Sequence, residues 1–156
     1  FEQYVGRMMR RALVGSGLTV HLQGGRLFCL ESVEEGRRLF QTKPDILIKD
    51  GGRVIQVIDT KWKRISPQIE DAKQGISQAD VYQMMAYGQL YECEALTLLY
   101  PHHGELLEVP GVTGTFAVPH SLQRLSAATI DISRKTGIKD ALRQIAGYHL
   151  SDARLS

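Results

Sequence analysis

The sequence predicts an α/β domain, and three observations carry that expectation. Two strand segments, residues 43–49 and 53–62, flank Asp50-Gly51-Gly52, a hairpin turn signal. The run Val54-Ile55-Gln56-Val57-Ile58 is nearly apolar on both faces, as suits a central strand covered on both sides. Segments of helical character stand at residues 1–13, 77–93 and 138–150, before, between and after the strands. At 156 residues the chain is one domain's worth of sequence and can bury a substantial core.

Taken in order, Phe1, Val5, Met8, Met9 and Ala12 recur at helical spacing with arginines on the other side, and Gly15-Ser16-Gly17 ends that helix. Residues 18–22 and 26–30 read as short strands around a Gly24-Gly25 turn. Residues 33–40 fit a loop or a short helix. The strand at 43–49 has Pro44 at its start, where a missing N–H does least harm. Residues 63–77 are polar, contain Pro67 and Gly75, and read as a mobile loop. A helix then opens at Ser77 or Gln78 and runs to about Cys93, with Ala79, Val81, Tyr82, Met85, Ala86 and Leu90 as its apolar positions. Residues 95–100 form a buried strand stopped by Pro101, and further β segments are expected at 106–109, 115–118 and 129–132. A helix over 138–150 closes the chain, and no internal repeat or low-complexity segment is present.

Apolar and charged contents of 43% and 23% are ordinary, so wholesale disorder is excluded. A net charge of +2 neither demands nor excludes nucleic acid. The clusters Arg7, Arg10, Arg11 and Lys61, Lys63, Arg64 fit a phosphate backbone, though the first fits a solvated basic face equally well. Cys29 and Cys93 lack metal-ligand spacing and read as small core or near-core residues, which suits a reducing cytosol and a cytoplasmic location. No apolar run is long enough to span a bilayer and no signal peptide is visible. The chain opens at Phe1 in what already reads as helix, which suggests a piece cut from a longer protein.

The chemistry concentrates on the hairpin. Asp59 and Lys61 stand two apart on one strand and therefore share a face, and Asp45 stands on the strand before it. An isolated carboxylate on an apolar strand is costly to bury, and two close together repel. A divalent cation relieves both problems, because Mg²⁺ takes one or two carboxylates plus waters and phosphate oxygens. A lysine beside such an ion can orient or deprotonate a water. Singly, Asp45 after a proline could cap a turn, and Asp59 could be a structural partner of Lys61 or Lys63. Together, fixed by a hairpin, they point to metal-dependent phosphodiester hydrolysis.

Gln83 and Tyr87 stand i,i+4 on one helical face with Tyr91 a turn further, so they can hydrogen-bond to a phosphate or a metal-bound water; the plainer reading makes the tyrosines core aromatics. Glu2 on the first helix could complete a metal shell or simply favour the helix N-terminus. His102 and His103 are expected at the surface, Glu70 and Asp71 solvated, and Trp62 as a packing residue.

Pro44-Asp45 followed by Asp59-Thr60-Lys61 resembles the two-strand signature of the PD-(D/E)XK nuclease superfamily. Gln83-Met84-Met85-Ala86-Tyr87 resembles the Q-x-x-x-Y helix of its RecB-like branch. With Phe1-Glu2-x-Tyr4-Val5, Lys43-Pro44-Asp45-Ile46, Ile58-Asp59-Thr60-Lys61-Trp62-Lys63, Asp80-Val81-Tyr82-Gln83-Met84-Met85-Ala86-Tyr87-Gly88 and Leu98-Leu99-Tyr100-Pro101, the ordered set is similar to the McrC family, the nuclease subunits of the modified-cytosine-dependent McrBC restriction systems. The resemblance covers Phe1 to about Pro101. It implies a restriction-endonuclease-like core, a central mixed β-sheet flanked by helices, and Mg²⁺-dependent cleavage of double-stranded DNA, with Mn²⁺ as a substitute. It implies a partner, an McrB-like AAA+ subunit that hydrolyses GTP, recognises methylated DNA and drives translocation. It also implies an N-terminal partner-binding region that these 156 residues lack. Carried over, Asp45 and Asp59 are metal ligands with the Thr60 carbonyl as third. Lys61 orients water and stabilises charge on the phosphate, Glu2 and Gln83 shape the metal and water shell, and Tyr87 supports them. A RecB-like repair or CRISPR-associated nuclease is the first alternative, although two cysteines cannot supply the iron–sulfur cluster those often carry. A non-catalytic DNA-binding or assembly module is the second, against which the intact Asp45, Asp59 and Lys61 argue.

Overall fold

A computed structural model describes residues 1–65, 73, 75–104, 106 and 109–155, with backbone alone over 148–155. The elements run α1 (Glu2–Ala12), β1 (Thr19–Leu22), β2 (Phe28–Glu31), β3 (Arg38–Gln41), β4 (Ile46–Asp50), β5 (Arg53–Thr60), α2 (Gln78–Leu90), β6 (Ala95–Pro101), β7 (Gly111–Ala117), β8 (Arg124–Ile130) and α3 (Ile138–Leu155). Six strands form one mixed sheet in the order β1-β4-β5-β6-β8-β7, and β2 with β3 makes a separate two-stranded ribbon. β4 is antiparallel to both β1 and β5, the strands β5, β6 and β8 run parallel, and β7 returns antiparallel at the far edge. The α/β expectation and the flanked mixed sheet both hold.

Strand alternation builds a core on each face of the sheet. Ile46, Ile48, Ile58, Leu99 and Ile130 point to one side, where α1 and α3 cover them with Val5, Met9, Leu142 and Ile145. Leu47, Val57, Leu96, Leu98 and Leu125 point to the other, where Met84 and Tyr87 of α2 cover them. Each such side chain fully withdrawn from water contributes about 1.5–3 kcal/mol. The same alternation settles the direction of the polar residues. Asp59 and Lys61 follow Val57 in steps of two, and Asp45 precedes Leu47 by two, so all three belong to the face covered by α2.

Several local expectations are corrected. Residues 18–22 and 26–30 do not pair around Gly24-Gly25. Instead β1 pairs β4, with Val20 opposite Ile48, and β2 pairs β3. Left-handed backbone at Gln23 (φ 46°) and Gly25 (φ 85°) turns the chain aside. The Gln23 N–H, donating to the Asp45 carbonyl at 2.8 Å, carries the β1–β4 pairing onward. The ambiguous stretch 33–40 ends in β3, whose residues are all exposed. β5 stops at Thr60, short of Trp62. β7 and β8 are each seven residues long and begin well before 115 and 129. Leu106 and Val109 lie in no strand, and the rest of the expected segment 106–109 falls outside the described residues, as do 66–72 and 74 of the expected mobile loop, including Glu70 and Asp71. Cys93 is buried as expected, but Cys29 is exposed, on a ribbon whose residues other than Phe28 all face solvent.

Helix α2 buries a different face from the one its apolar residues suggested. Asp80, Met84, Tyr87 and Gly88 are buried, whereas Tyr82 and Met85 are exposed. A polar interaction network, described next, is what draws Asp80 inward. No helix among the described residues is long and apolar enough to cross a membrane.

Candidate active site

The site grows out of the β4–β5 hairpin. Its last paired residues on this end are Ile46 and Ile58, which leaves Asp45 just ahead of β4 and Thr60 at the end of β5. Asp45 Oδ2 accepts a hydrogen bond from the Thr60 N–H at 2.8 Å and another from the Thr60 hydroxyl at 2.7 Å. Among the described residues its Oδ1 accepts none. Asp59, one residue earlier on β5, is only 4% exposed. Lys61 continues the strand direction, its N–H donating to the Leu99 carbonyl at 2.9 Å.

The Lys61 ammonium sits 2.6 Å from Asp59 Oδ2 and 3.2 Å from Asp80 Oδ1, and it donates to Gln83 Oε1 at 2.9 Å. An ammonium has three N–H groups, so three acceptors saturate it. Two of the three come from α2. Ser77 caps that helix, its hydroxyl accepting from the Asp80 N–H at 3.2 Å. Asp80 Oδ2 lies 3.0 Å from Lys63 Nζ. Gln83 turns its amide nitrogen to Tyr87, donating to the hydroxyl at 2.9 Å, so one amide links lysine and phenol. The Tyr87 ring meets Tyr91 edge-on at 6.3 Å between centroids, and the Tyr91 hydroxyl shares a 2.6 Å hydrogen bond with the Thr42 hydroxyl. Tyr87 is therefore both core aromatic and part of the polar network.

Electrostatics follow from this packing. Burial, then the charge of Asp59 and more weakly that of Glu2, push the Asp45 carboxyl up to about 6 against the opposing hydrogen bonds from Thr60. Burial also raises Asp59, with Lys61 working the other way. For Lys61, burial alone would lower the ammonium, but the bonds to and charges of Asp59 and Asp80 outweigh it and hold the group above its usual value. Asp80 is opposed by burial yet is held below the usual carboxylate range by hydrogen bonds from Lys63, Ser77 and Lys61. Lys61 is thus held charged.

Glu2 stands apart. Its carboxylate accepts from the Gln23 side-chain amide. With Gln3, Arg7, Leu22, Gln23 and Asp45 it lines a cleft of about 300 Å³. The structure therefore brings Asp45, Asp59, Thr60, Lys61, Gln83 and Tyr87 into one packed set, and Glu2 lines the same cleft as Asp45, its charge acting on both Asp45 and Asp59. Two participants have no role assigned from sequence, Gln23 and Asp80, the latter standing only as the first residue of the family-like helix segment. Asp80 had a signal, the cap pattern Ser77-x-x-Asp80 and its position three residues before Gln83 on the same helical face. Gln23 had none, because only the turn after β1 brings it to Glu2.

The neighbouring residues sort as follows. Arg7 lines the cleft, while the Arg10 Nε donates to the Val20 carbonyl at 3.3 Å. Trp62, expected to be a packing residue, is 71% exposed and meets the Phe1 ring at 5.3 Å between centroids, the planes tilted by 45°. His102 and His103 are half-buried, not superficial: they share hydrogen bonds with the Thr129 hydroxyl at 3.2 Å and the Ile65 carbonyl at 3.1 Å.

No group of three or more His, Cys, Asp and Glu among the described residues is placed to hold a metal ion. The set on offer is two raised carboxyls, Asp45 and Asp59, with oxygen donors around them. That donor set fits a hard divalent cation that keeps most of its waters, and such a cation would remove the repulsion between the two acids.

A mixed sheet covered on both faces, with two acids and a lysine at the end of its central hairpin, defines a nuclease-like α/β core. Residues 1–101 match the family model of the McrBC 5-methylcytosine restriction system component, and the chain belongs to that family. Over 96% of its length it also resembles, with a TM-score of 0.67 at 16% identity, a chain of a refined half-complex from the tetradecameric assembly of Thermococcus gammatolerans McrB AAA+ hexamers with bound McrC. It covers 32% of that chain, and at this identity the likeness is one of fold. No curated protein matches.

Proposed function

We propose that this chain is the nuclease domain of an McrC-type subunit, a Mg²⁺-dependent enzyme that hydrolyses phosphodiester bonds of double-stranded DNA. It would work in the cytoplasm with an McrB-like AAA+ GTPase, inside a modified-cytosine-dependent restriction complex. The observation that carries the reading is the Lys61 ammonium, held charged between Asp59 and the α2 pair Asp80 and Gln83, on the same sheet face as Asp45. Family membership and the fold likeness support the biological setting.

In this reading Asp45 and Asp59, with the Thr60 carbonyl and Glu2, would hold the Mg²⁺, for which Mn²⁺ would serve as a substitute. When bound, such an ion supplies Lewis acidity at the phosphate and lowers the pKa of its water. Lys61, already protonated, would have the N–H it gives to Asp59 free for the attacking water and the phosphate once that acid holds the cation, and it is poorly suited to taking a proton. Gln83 fixes the lysine's direction, and Tyr87 fixes the Gln83 amide. Asp45 keeps its place through Thr60 while presenting its other oxygen.

The test is DNA cleavage with the GTPase partner, GTP and Mg²⁺, alongside calorimetric Mg²⁺ titration of the protein. Asp59→Ala and Lys61→Ala should each abolish cutting while circular dichroism stays native, and Asp59→Ala should also lose Mg²⁺ binding. Retained cleavage by both variants would sink the assignment.

A further inference from the structure

Asp80 is 7% exposed, and both of its oxygens are engaged, one by Lys61 at 3.2 Å and the other by Lys63 at 3.0 Å. Withdrawing a carboxylate from water costs several kcal/mol unless it is well paired, so its place facing the sheet calls for a reason. The Lys63 side chain is 56% exposed, and such a pair is worth little in stability. The Lys61 side chain is 16% exposed, which makes Lys61 the partner that matters.

Lys61 is held from two directions. Asp59 belongs to its own strand, whereas Asp80 and Gln83 belong to α2 and share a helical face. The strand-borne contact is the shortest, 2.6 Å, yet Asp59 is also the acid that the proposed function gives to a divalent cation. Two positive charges on one carboxylate repel, so a cation at Asp59 would weaken that acid's hold on Lys61. We infer that Asp80 is the positioning residue that keeps Lys61 beside the phosphate when Asp59 is occupied, with Gln83 setting direction and Asp80 supplying the countercharge. The inference rests on the reading of Lys61 as the group that meets the phosphate.

The decisive experiment needs no metal, because Asp59→Asn removes the strand-borne charge. Hydrogen exchange of the Lys61 ammonium is followed by ¹H–¹⁵N NMR in the wild-type chain, in Asp59→Asn, in Asp80→Asn and in the double variant. Protection should persist in each single variant and exchange should quicken at least about tenfold in the double variant, as loss of a charged hydrogen bond requires. Loss of protection in Asp59→Asn alone, or its survival in the double variant, would overturn the inference. A second readout separates positioning from mere packing. In cleavage with the GTPase partner, Asp80→Asn should lower kcat about tenfold or more with KM for DNA unchanged, and Asp80→Glu should recover part of it. An unchanged kcat would also overturn it. A wild-type chain that shows the exchange pattern but cuts no DNA would refute the nuclease reading and leave Asp80 as the anchor of Lys61.

Discussion

Replacing Asp45 with asparagine should stabilise the metal-free protein, by an amount that grows as pH rises from about 4 to about 6. Burial and the neighbouring Asp59 charge raise the Asp45 carboxyl from 3.8 to about 6 in the folded chain. A raised carboxylate pKa means that the folded state binds the proton more tightly than the unfolded state. Ionised Asp45 therefore opposes folding. The penalty is absent below 3.8, grows between 3.8 and about 6, and is complete above that. A rise of that size corresponds to at most about 3 kcal/mol, and solvent screening of a partly buried group brings it to about 1–2 kcal/mol. Asparagine keeps an oxygen for both Thr60 donors and removes the charge. Urea unfolding of wild type and Asp45→Asn, in chelator, at pH 5, 6, 7 and 8 would measure the effect. The variant's advantage should grow by about 1 kcal/mol from pH 5 to 7 and then level off. A variant less stable than wild type at pH 8, or a difference flat across this range, would refute the argument. Mg²⁺ should reverse the order, since a ligand that binds only the folded wild type stabilises it by mass action.

Three further outcomes are expected. Gly25→Ala should lose about 1–3 kcal/mol, because its Cβ would lie 2.1 Å from the Tyr91 hydroxyl oxygen at a φ of +85°; an unchanged urea midpoint would contradict this. Ser77→Ala should lose about 1 kcal/mol through the α2 cap, measured the same way, and a loss near zero would show the cap to be idle. A thiol reagent at pH 8 should modify Cys29 rapidly and reach Cys93, buried and raised to about 11, only on unfolding; two fast thiols in the native chain would contradict the packing.

The parts of the fold that were readable from sequence are those fixed by neighbours in the chain. The β4–β5 hairpin announces itself through Asp50-Gly51-Gly52, and period-two alternation puts Asp59 and Lys61 on one face; Asp45 joins them only through the register shift between Ile48 and Lys49, which the sequence does not show. What was unreadable depends on partners far away. β1 looks like half of a hairpin with β2, but its apolar side chains find β4 across the sheet, and the glycine turn serves to leave the sheet instead. β8 hides behind Ser126 and Thr129, polar residues that are buried at 0% and 1% exposure with hydrogen-bonding neighbours on β7 and at His102. Apolar counting misjudged α2 for the same reason, since Lys61 and Lys63 pull Asp80 inward and turn Tyr82 and Met85 to water.

The paired hydrogen bonds from Thr60 to one oxygen of Asp45 have a consequence for how this position can vary. They serve as one more rung beyond the last backbone pair of the hairpin, so a side chain stands in for the main chain. One oxygen is a fastener and the other is on offer. Asparagine keeps the fastener and forfeits the charge. Glutamate keeps the charge but carries both oxygens a methylene too far to fasten. Among the acidic and amide side chains, only aspartate satisfies both demands, so this one residue ties the closure of the hairpin to the chemistry proposed at its mouth.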